Sequence, residues 1–316
     1  MLSSTVQNSA SALISFGGAT LRSNPEVIAR RLKRGARNLV VQALDKMGVS
    51  ERKISRRRSD LILMYHAVER KRSGYDCSVS PAYLEEHLQF LRRHFTIVPL
   101  DDMFEQSADR SRVALTFDDA YEDFYFNAYP LLRRYQIPAT VFVPTRYIGK
   151  EPDELHNKLF DCAKRHVTWE HIYEMQASGL IRFDSHTHTH YNATERTDIL
   201  REDLLTSIEV LRRKIGYSPK YFAYPYGACN AGTDAIVLSC GFKRLLTVEP
   251  RMVNGEVREG RFDVGRGNEA LSRFKLTIAE IDIKDPRFWL DALWQGVLKP
   301  DRTDPAGRPS EVSPST

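Results

Sequence analysis

The chain has 316 residues, of which 42% are hydrophobic and 28% charged. This composition is ordinary for a globular protein and allows one large α/β barrel or two smaller domains. The net charge of +5 is uneven, because residues 22–58 carry twelve Lys/Arg against three acidic residues, a net of +9 that leaves about −4 elsewhere. The basic segment lacks aromatic residues for base stacking, so no nucleic-acid partner is predicted. Four scattered cysteines do not form a disulfide framework or a CxxC metal motif.

No stretch of the sequence approaches the roughly 18 consecutive apolar residues of a membrane span. The first 18 residues lack the basic and apolar regions of a convincing signal peptide. We therefore expect a cytoplasmic location.

Residues 1–59 are predicted to form a basic N-terminal arm. A helix begins with Asn24 as N-cap and Pro25 in its first turn, and Gly48 ends it. Two placements of this amphipathic helix stay open: peripheral contact of residues 22–58 with an anionic membrane, or packing onto the body or a partner subunit. The stretch 51–59, ERKISRRRS, is interpreted as a solvated linker.

Strands alternate with helices from residue 60 onward. The predicted strands cover 61–65, 113–117, 139–143, 181–183, 221–223 and 243–248, and the predicted helices cover 81–94, 127–135, 169–179, 197–215 and 233–240. This alternation predicts an α/β fold with a parallel sheet, in which chemistry occurs at the carboxyl ends of the strands. Residues 147–167 resemble an inserted loop that could line a substrate groove. The body is assigned to residues 60–298, and the Pro- and Ser-rich tail 299–316 is expected to be disordered.

Carboxylates and imidazoles follow two of these strands. Asp118 and Asp119 come directly after an apolar run, and His186, His188 and His190 alternate with threonine further along the chain. Carboxylate and imidazole suit zinc and neighbouring metals, and three protein ligands leave one coordination position open. The pattern predicts a hydrolytic metal centre.

Three motifs carry a family resemblance. The stretches TFDDAYEDF, SHTHTH and FAYPYGACN resemble the TFDDG, H(S/T)xxH and PYG motifs of the polysaccharide deacetylase family, carbohydrate esterase family 4 or NodB homology domain. The resemblance covers about residues 60–270. It implies a distorted (β/α) barrel and a metal-dependent hydrolase that removes acetyl groups from N-acetylated amino sugars of an oligo- or polysaccharide.

The resemblance also implies roles for individual residues. The implied metal ligands are Asp119, His186 and His190, with zinc as the expected metal and cobalt or nickel as alternatives. Asp118 matches the catalytic base and the main-chain N–H of Tyr226 the oxyanion donor, whereas His188 is expected to bind no metal. The four-residue spacing of the ligand histidines suggests one side of a helical turn.

The chain departs from the common family pattern at two positions. Ala223 stands where an arginine usually precedes the PYG motif, and no histidine follows His190 to supply the late acid. Both departures resemble the branch that acts on poly-N-acetylglucosamine exopolysaccharides, in which the barrel is circularly permuted and the acid histidine lies on the first strand. His66 matches that histidine, and Arg266 is a hypothetical substitute for the missing arginine.

Other functions remain as alternatives. The sequence D-x-H-x-H at Asp184–His188 also opens amidohydrolase sites, but those sites need later histidines, and no G-x-S-x-G elbow indicates a serine hydrolase. A degenerate carbohydrate-binding barrel and an O-acetyl esterase stay open. The expected partner is an N-acetylated saccharide or its lipid- or nucleotide-linked precursor.

Overall fold

The computed structural model describes residues 25–56, 60–70, 77–105, 111–160, 164–251, 253, 255–265 and 270–280. None of the helices in these ranges is long and apolar enough to cross a membrane. The predicted tail 299–316 and the boundary at residue 298 lie outside the described residues, so both stay predictions.

A mainly parallel sheet forms the centre of the fold. The strands are β1 (Leu61–Tyr65), β2 (Ala67–Val68), β3 (Ser78–Val79), β4 (Thr96–Ile97), β5 (Arg112–Phe117), β6 (Ala139–Val143), β7 (Ile181–Ser185), β8 (Tyr221–Ala223), β9 (Arg244–Leu246), β10 (Arg258–Glu259) and β11 (Phe262–Asp263). The large sheet has the order β10-β9-β8-β7-β6-β5-β1-β11, with β4 also paired to β5, and β2 and β3 form a separate pair. Every residue of β1, β5 and β6 is buried, as expected for a parallel sheet covered on both faces.

A single short segment connects the two ends of this strand order. Only Gly260 and Arg261 separate β10, which pairs with β9, from β11, which pairs with β1. A side chain at Gly260 would not fit, because its Cβ would lie 2.1 Å from the carbonyl oxygen of Glu249. The sheet therefore curls round on itself, and the predicted distorted (β/α) barrel is confirmed.

Helices cover the outside of the sheet. They are α1 (Pro25–Lys46), α2 (Val49–Arg56), α3 (Pro81–His94), α4 (Tyr129–Tyr135), α5 (Glu154–Leu159), α6 (Trp169–Ala177), α7 (Thr197–Ile215), α8 (Ala231–Ser239) and α9 (Leu271–Ile278). Local chemistry sets several of their ends. The Ser80 hydroxyl accepts a hydrogen bond from the main-chain N–H of Tyr83, with Pro81 as first helical residue, and Gly216 ends α7 with φ 83°.

Two predicted elements differ in detail. The predicted helix 127–135 is preceded by a π-helical turn, Phe124–Ala128, and becomes α-helical only at Tyr129. The inserted loop 147–167 contains α5, which Asp153 caps by accepting a hydrogen bond from the main-chain N–H of His156. The inserted loop matters for the site, because the main-chain N–H of Val167 at its end donates to the carbonyl oxygen of Ala120, next to Asp119, at 2.9 Å.

The N-terminal arm packs against the body. Val41 and Leu44 of α1 are buried in the main core. Lys275 of α9 donates from its ammonium group to Asp45 of α1 at 2.9 Å and to Glu51 of α2 at 2.6 Å. These contacts favour the intramolecular alternative for the described part of the arm.

The linker interpretation of residues 51–59 is wrong over its described part. Residues 51–56 belong to α2, in which Val49 and Ile54 are buried. Two apolar side chains are enough to anchor this short helix, because its lysines and arginines can extend from the protein surface into water.

Candidate metal centre and active site

The functional side chains gather at the carboxyl edge of the barrel. β1 is followed by His66, β5 by Asp118 and β7 by His186. These strands are parallel and lie in the order β7-β6-β5-β1, so the residues after them share one edge. Six sequence-predicted site residues line one cavity of about 190 Å³ there: His66, Asp118, Asp119, His186, His190 and Tyr226.

Asp119, His186 and His190 form a compact cluster. One possible ligand atom from each residue lies within 4.8 Å of the other two, and all three residues are buried. The Oδ1 atom of Asp119 is 3.4 Å from Nε2 of His186 and 3.2 Å from Nε2 of His190. This two-imidazole, one-carboxylate arrangement has the donor set of a three-ligand metal site.

The loop that carries the histidines is not the helical turn suggested by their spacing. Thr187 and His190 have positive φ values of 68° and 63°, so the chain turns sharply at both. The Asp203 carboxylate accepts hydrogen bonds from the main-chain N–H groups of His188 at 2.7 Å and Thr189 at 3.2 Å. A tight loop held from α7, and not a helix, brings the two ligand histidines together.

Each ligand imidazole has a defined support. His186 donates from Nδ1 to the carbonyl oxygen of Ala223 at 2.8 Å, which directs Nε2 toward Asp119. The ring of His190 stacks on Phe160, with centroids 4.3 Å apart, and contacts the edge of Tyr226 at 5.0 Å. These contacts define the orientation of both rings.

The cluster fits a divalent cation. Among the described residues, the buried Oδ1 of Asp119 has no hydrogen-bond partner. Burial would raise the pKa of Asp119, but the neighbouring His186 and His190 hold it well below its usual value, so the carboxyl is ionised. A buried anionic oxygen facing two imidazoles is costly unless a cation compensates it.

His188 does not belong to this cluster. Its Nδ1 lies 2.8 Å from the hydroxyl oxygen of Thr145, outside the group of ligand atoms. The alternating histidines of the motif therefore point to different surroundings, as expected in a tightly turning loop.

Asp118 has a separate environment from its neighbour Asp119. Arg261 binds it through two hydrogen bonds, from Nη1 to Oδ1 at 2.6 Å and from Nη2 to Oδ2 at 2.7 Å. Burial would raise the pKa of Asp118, but the charge of Arg261, with His186, lowers it below the usual value. Asp118 is therefore held as a carboxylate without being part of the metal cluster.

Arg261 was missed in the sequence, where Arg266 was the hypothetical substitute for the missing arginine. Arg266 lies outside the described residues, whereas Arg261 is fully buried and also donates to the carbonyl oxygen of Thr247 at 3.1 Å. The only signal available was an arginine next to the short alternating stretch Phe262–Val264. That signal is weak, because arginine beside a strand usually faces solvent.

His66 and Tyr226 complete the cavity. His66 is partly buried and lies close enough to Asp118 and Asp119 to contribute to lowering the pKa of both carboxyls. Tyr226 has φ 59° and donates from its hydroxyl to the carbonyl oxygen of Leu159. Position 227 requires glycine for two reasons: its φ is 68°, and a Cβ there would lie 2.4 Å from the side chain of Val248. The main chain of the PYG turn is thus fixed at the cavity wall.

The protein combines a curled parallel barrel, this cluster of possible metal ligands and an arginine-bound carboxylate. These features place it among candidate mononuclear metal-dependent hydrolases. Residues 105–245 match the family model described as polysaccharide deacetylase. The resemblance to this family that the three motifs predict is confirmed over these residues, and the first relative described next shares the predicted likeness to poly-N-acetylglucosamine deacetylases.

Curated relatives agree with that family. The chain is 31% identical over 192 residues to a poly-beta-1,6-N-acetyl-D-glucosamine N-deacetylase of Staphylococcus aureus strain MRSA252, covering 56% of this chain and 63% of that protein. It is 28% identical to the putative polysaccharide deacetylase YxkH of Bacillus subtilis, covering 60% and 64%. The chain thus spans less than two thirds of the length of these relatives.

Solved structures support the fold. IcaB from Ammonifex degensii superimposes with a TM-score of 0.62 at 24% identity, covering 72% of this chain and 98% of that one. The Streptococcus pyogenes deacetylase PplD gives a TM-score of 0.57 at 24% identity, covering 69% and 96%. At this identity the likeness concerns the barrel alone.

Proposed function

We propose that this protein is a metal-dependent hydrolase that removes acetyl groups from N-acetylated amino sugars, with poly-β-1,6-N-acetylglucosamine or its oligomers as the substrate class. One observation carries the proposal. A single cavity contains a cluster of three possible metal ligands and, beside it, the Asp118 carboxylate, which is paired with Arg261. Hydrolysis needs these two functions in separate groups, because a carboxylate that binds the metal is less free to accept a proton.

Asp119, His186 and His190 would hold the metal, and their donor set favours zinc, with cobalt and nickel as alternatives. A bound divalent cation supplies a Lewis acid for the acetyl carbonyl and makes water acidic enough to attack near neutral pH.

Asp118 is the proposed general base. Its lowered pKa keeps it ionised in the neutral range, and Arg261 fixes both of its oxygens in one orientation. An ionised carboxylate in a fixed position can accept a proton from an attacking water. Arg261 acts through Asp118 and is a positioning residue.

His66 is the proposed general acid. It follows β1, whose neighbour β5 leads directly to Asp118, and it lines the same cavity. Protonated His66 would give its proton to the amine nitrogen as the carbon–nitrogen bond breaks. The main-chain N–H of Tyr226, in the PYG turn, is the proposed donor to the oxyanion.

The cavity wall also suits a saccharide. The Tyr226 ring is 53% exposed and Val248 37% exposed, and both line the cavity with Leu159 and Phe160. Aromatic and apolar surfaces of this kind can pack against the C–H face of a sugar ring, while the polar groups lie deeper. The name of the Staphylococcus aureus relative supports the β-1,6-linked substrate.

The experiment is an acetate-release assay on the zinc-loaded protein. N-acetylglucosamine oligomers with β-1,6 or β-1,4 linkages are compared with an O-acetylated polysaccharide, using Asp118→Asn as the inactive control and His188→Ala as the active one. Acetate release from the β-1,6 oligomers that is lost in Asp118→Asn supports the proposal.

Two outcomes of this assay would replace the proposed deacetylase activity with another function. Release from the O-acetylated polysaccharide alone would make the protein an ester hydrolase. Saccharide binding without release in the presence of zinc, cobalt or nickel would make it a degenerate binding barrel. The cytoplasmic location and the lipid- or nucleotide-linked substrates stay predictions that a localisation experiment and the same assay on such precursors would test.

A further inference from the structure

Two buried histidines lie behind the metal cluster and have no part in the proposed reaction. His166 is 2% and His156 1% exposed. The Nδ1 atom of His166 is 2.7 Å from the carbonyl oxygen of Asp119, and its Nε2 is 3.0 Å from Nε2 of His156. The pair therefore forms a hydrogen-bonded chain from α5 to the main chain of Asp119.

The direction of this chain follows from the groups in it. A carbonyl oxygen can only accept, so His166 donates from Nδ1 to Asp119. A neutral imidazole that donates from Nδ1 has its lone pair on Nε2, so Nε2 of His166 accepts and Nε2 of His156 donates to it at 3.0 Å.

The main chain at Asp119 needs such support. Asp119 and Ala120 have consecutive positive φ values of 69° and 52°. Left-handed backbone of this kind is unfavourable for residues other than glycine and persists only where its surroundings hold it. The strand-like segment at 165–167 supplies that restraint, because the main-chain N–H of Val167 donates to Ala120 at 2.9 Å and the carbonyl oxygen of Arg165 accepts from Glu122 at 2.9 Å.

Helix α5 also reaches a second ligand. His156 stacks on Phe160 with centroids 4.6 Å apart, and Phe160 stacks on His190 at 4.3 Å. The segment that contains α5 therefore contacts Asp119 through the histidine pair and His190 through one aromatic ring. Two of the three ligands depend on the inserted segment for their placement.

We propose that His166 is a positioning residue for the metal site, which fixes the carbonyl of Asp119 and thereby the direction of its carboxylate, and that His156 fixes His166. The inference rests on the metal site of the proposed function. It assigns to α5 a contribution to metal affinity in addition to its place in the cavity wall.

The test uses two substitutions of His166 in the full chain. His166→Asn keeps an N–H donor close to the position of Nδ1, whereas His166→Leu removes it at similar volume. Zinc affinity is measured by titrating metal-free protein in competition with a chromophoric chelator. We expect His166→Leu to bind zinc about 10–100-fold more weakly, the usual effect of losing a partner that orients a ligand. His166→Asn should stay within about threefold of the wild type, since the donor is retained.

His188→Leu is the matched control, because it makes the same chemical change in a histidine outside the cluster, and it should bind zinc as the wild type does. Equal affinity of His166→Leu and the wild type would overturn the inference. Equal losses in the Leu and Asn variants would overturn it as well, since the effect would then be one of packing and not of the hydrogen bond.

His156→Leu provides a second variant. It should weaken zinc binding in the wild-type background and have a smaller effect in His166→Leu, because its hydrogen bond to His166 is already lost there and only its stacking on Phe160 remains. Additive losses would show that His156 acts without His166. A wild type that binds no zinc would refute the proposed function itself, an outcome distinct from either of these.

Discussion

Replacing Arg261 with methionine tests the link between the barrel and the proposed base. The substitution keeps an unbranched side chain but removes both hydrogen bonds to Asp118, at 2.6 and 2.7 Å, and the charge that lowers its pKa. Asp118 is 3% exposed, so its charge depends mainly on buried partners. Breaking one side of a buried ion pair typically costs about 3–5 kcal/mol of folding stability.

The pH dependence gives the sign of the effect. In the wild type the folded-state pKa of Asp118 is lowered, so this group adds stability that is complete above the unfolded-state pKa and is lost as pH falls through the folded value. Without Arg261, the largest effect that opposes burial is lost, so the folded-state pKa of Asp118 should rise. The stability that Asp118 adds above its unfolded-state pKa should then decrease, and the slope of stability against pH should become shallower or reverse.

Two measurements check this prediction. Urea unfolding of the zinc-loaded protein at several pH values gives the stability, and the acid limb of the kcat/KM profile reports ionisation of the base. For Arg261→Met we expect the acid limb to move to higher pH, with turnover partly recovered in alkaline buffer. Arg261→Lys keeps the positive charge but not the planar pair of donors. Its acid limb should therefore lie between those of the wild type and Arg261→Met.

A uniform loss of activity in Arg261→Met, with an unmoved acid limb and an unchanged slope of stability against pH, would refute the reasoning. Arg261 would then support the barrel alone, and the ionisation of Asp118 would have another cause.

Three further predictions concern individual site residues. His186→Ala and His190→Ala should each lower zinc occupancy, measured by elemental analysis, whereas His188→Ala should not, and equal loss in all three would contradict the ligand assignment. Asp118→Asn should keep the metal and lower turnover by roughly 10²–10⁴-fold, the range for a lost general base; loss of metal instead would mean that Asp118 shares the ligand role. His66→Ala should depress hydrolysis of an acetamide sugar far more than that of an activated aryl acetate, whose leaving group needs no protonation, and parallel losses would show that His66 supports the fold.

Local patterns in the sequence were sufficient to predict most elements of the barrel. The strands around residues 61–65 and 139–143 and the helix 197–215 agree with the structure because buried apolar runs and helix ends are set by nearby residues. The clustering of Asp119 with His186 was also predictable, because both follow strands that run in parallel and lie close together in the sheet.

The remaining features depend on contacts between distant parts of the chain. Arg261 is identified only by its position opposite Asp118, 143 residues away in sequence. His166 appears in sequence as one histidine in an inserted loop, and only the positive φ of Asp119 explains what it supports. Local propensity carries no information about either pairing, because each arises when the barrel closes.

Arg261 lies late in the sequence, which affects the order in which the parts of the proposed site are synthesised. All three proposed ligands are synthesised by residue 190, whereas Arg261 follows about 70 residues later, on the order of 4–14 s at ordinary translation rates. During that interval the proposed ligands are present in the chain, but the guanidinium that binds Asp118 is not. The proposed ligand set is therefore complete before the ion pair that orients the proposed base, which forms only when the last strands close the barrel.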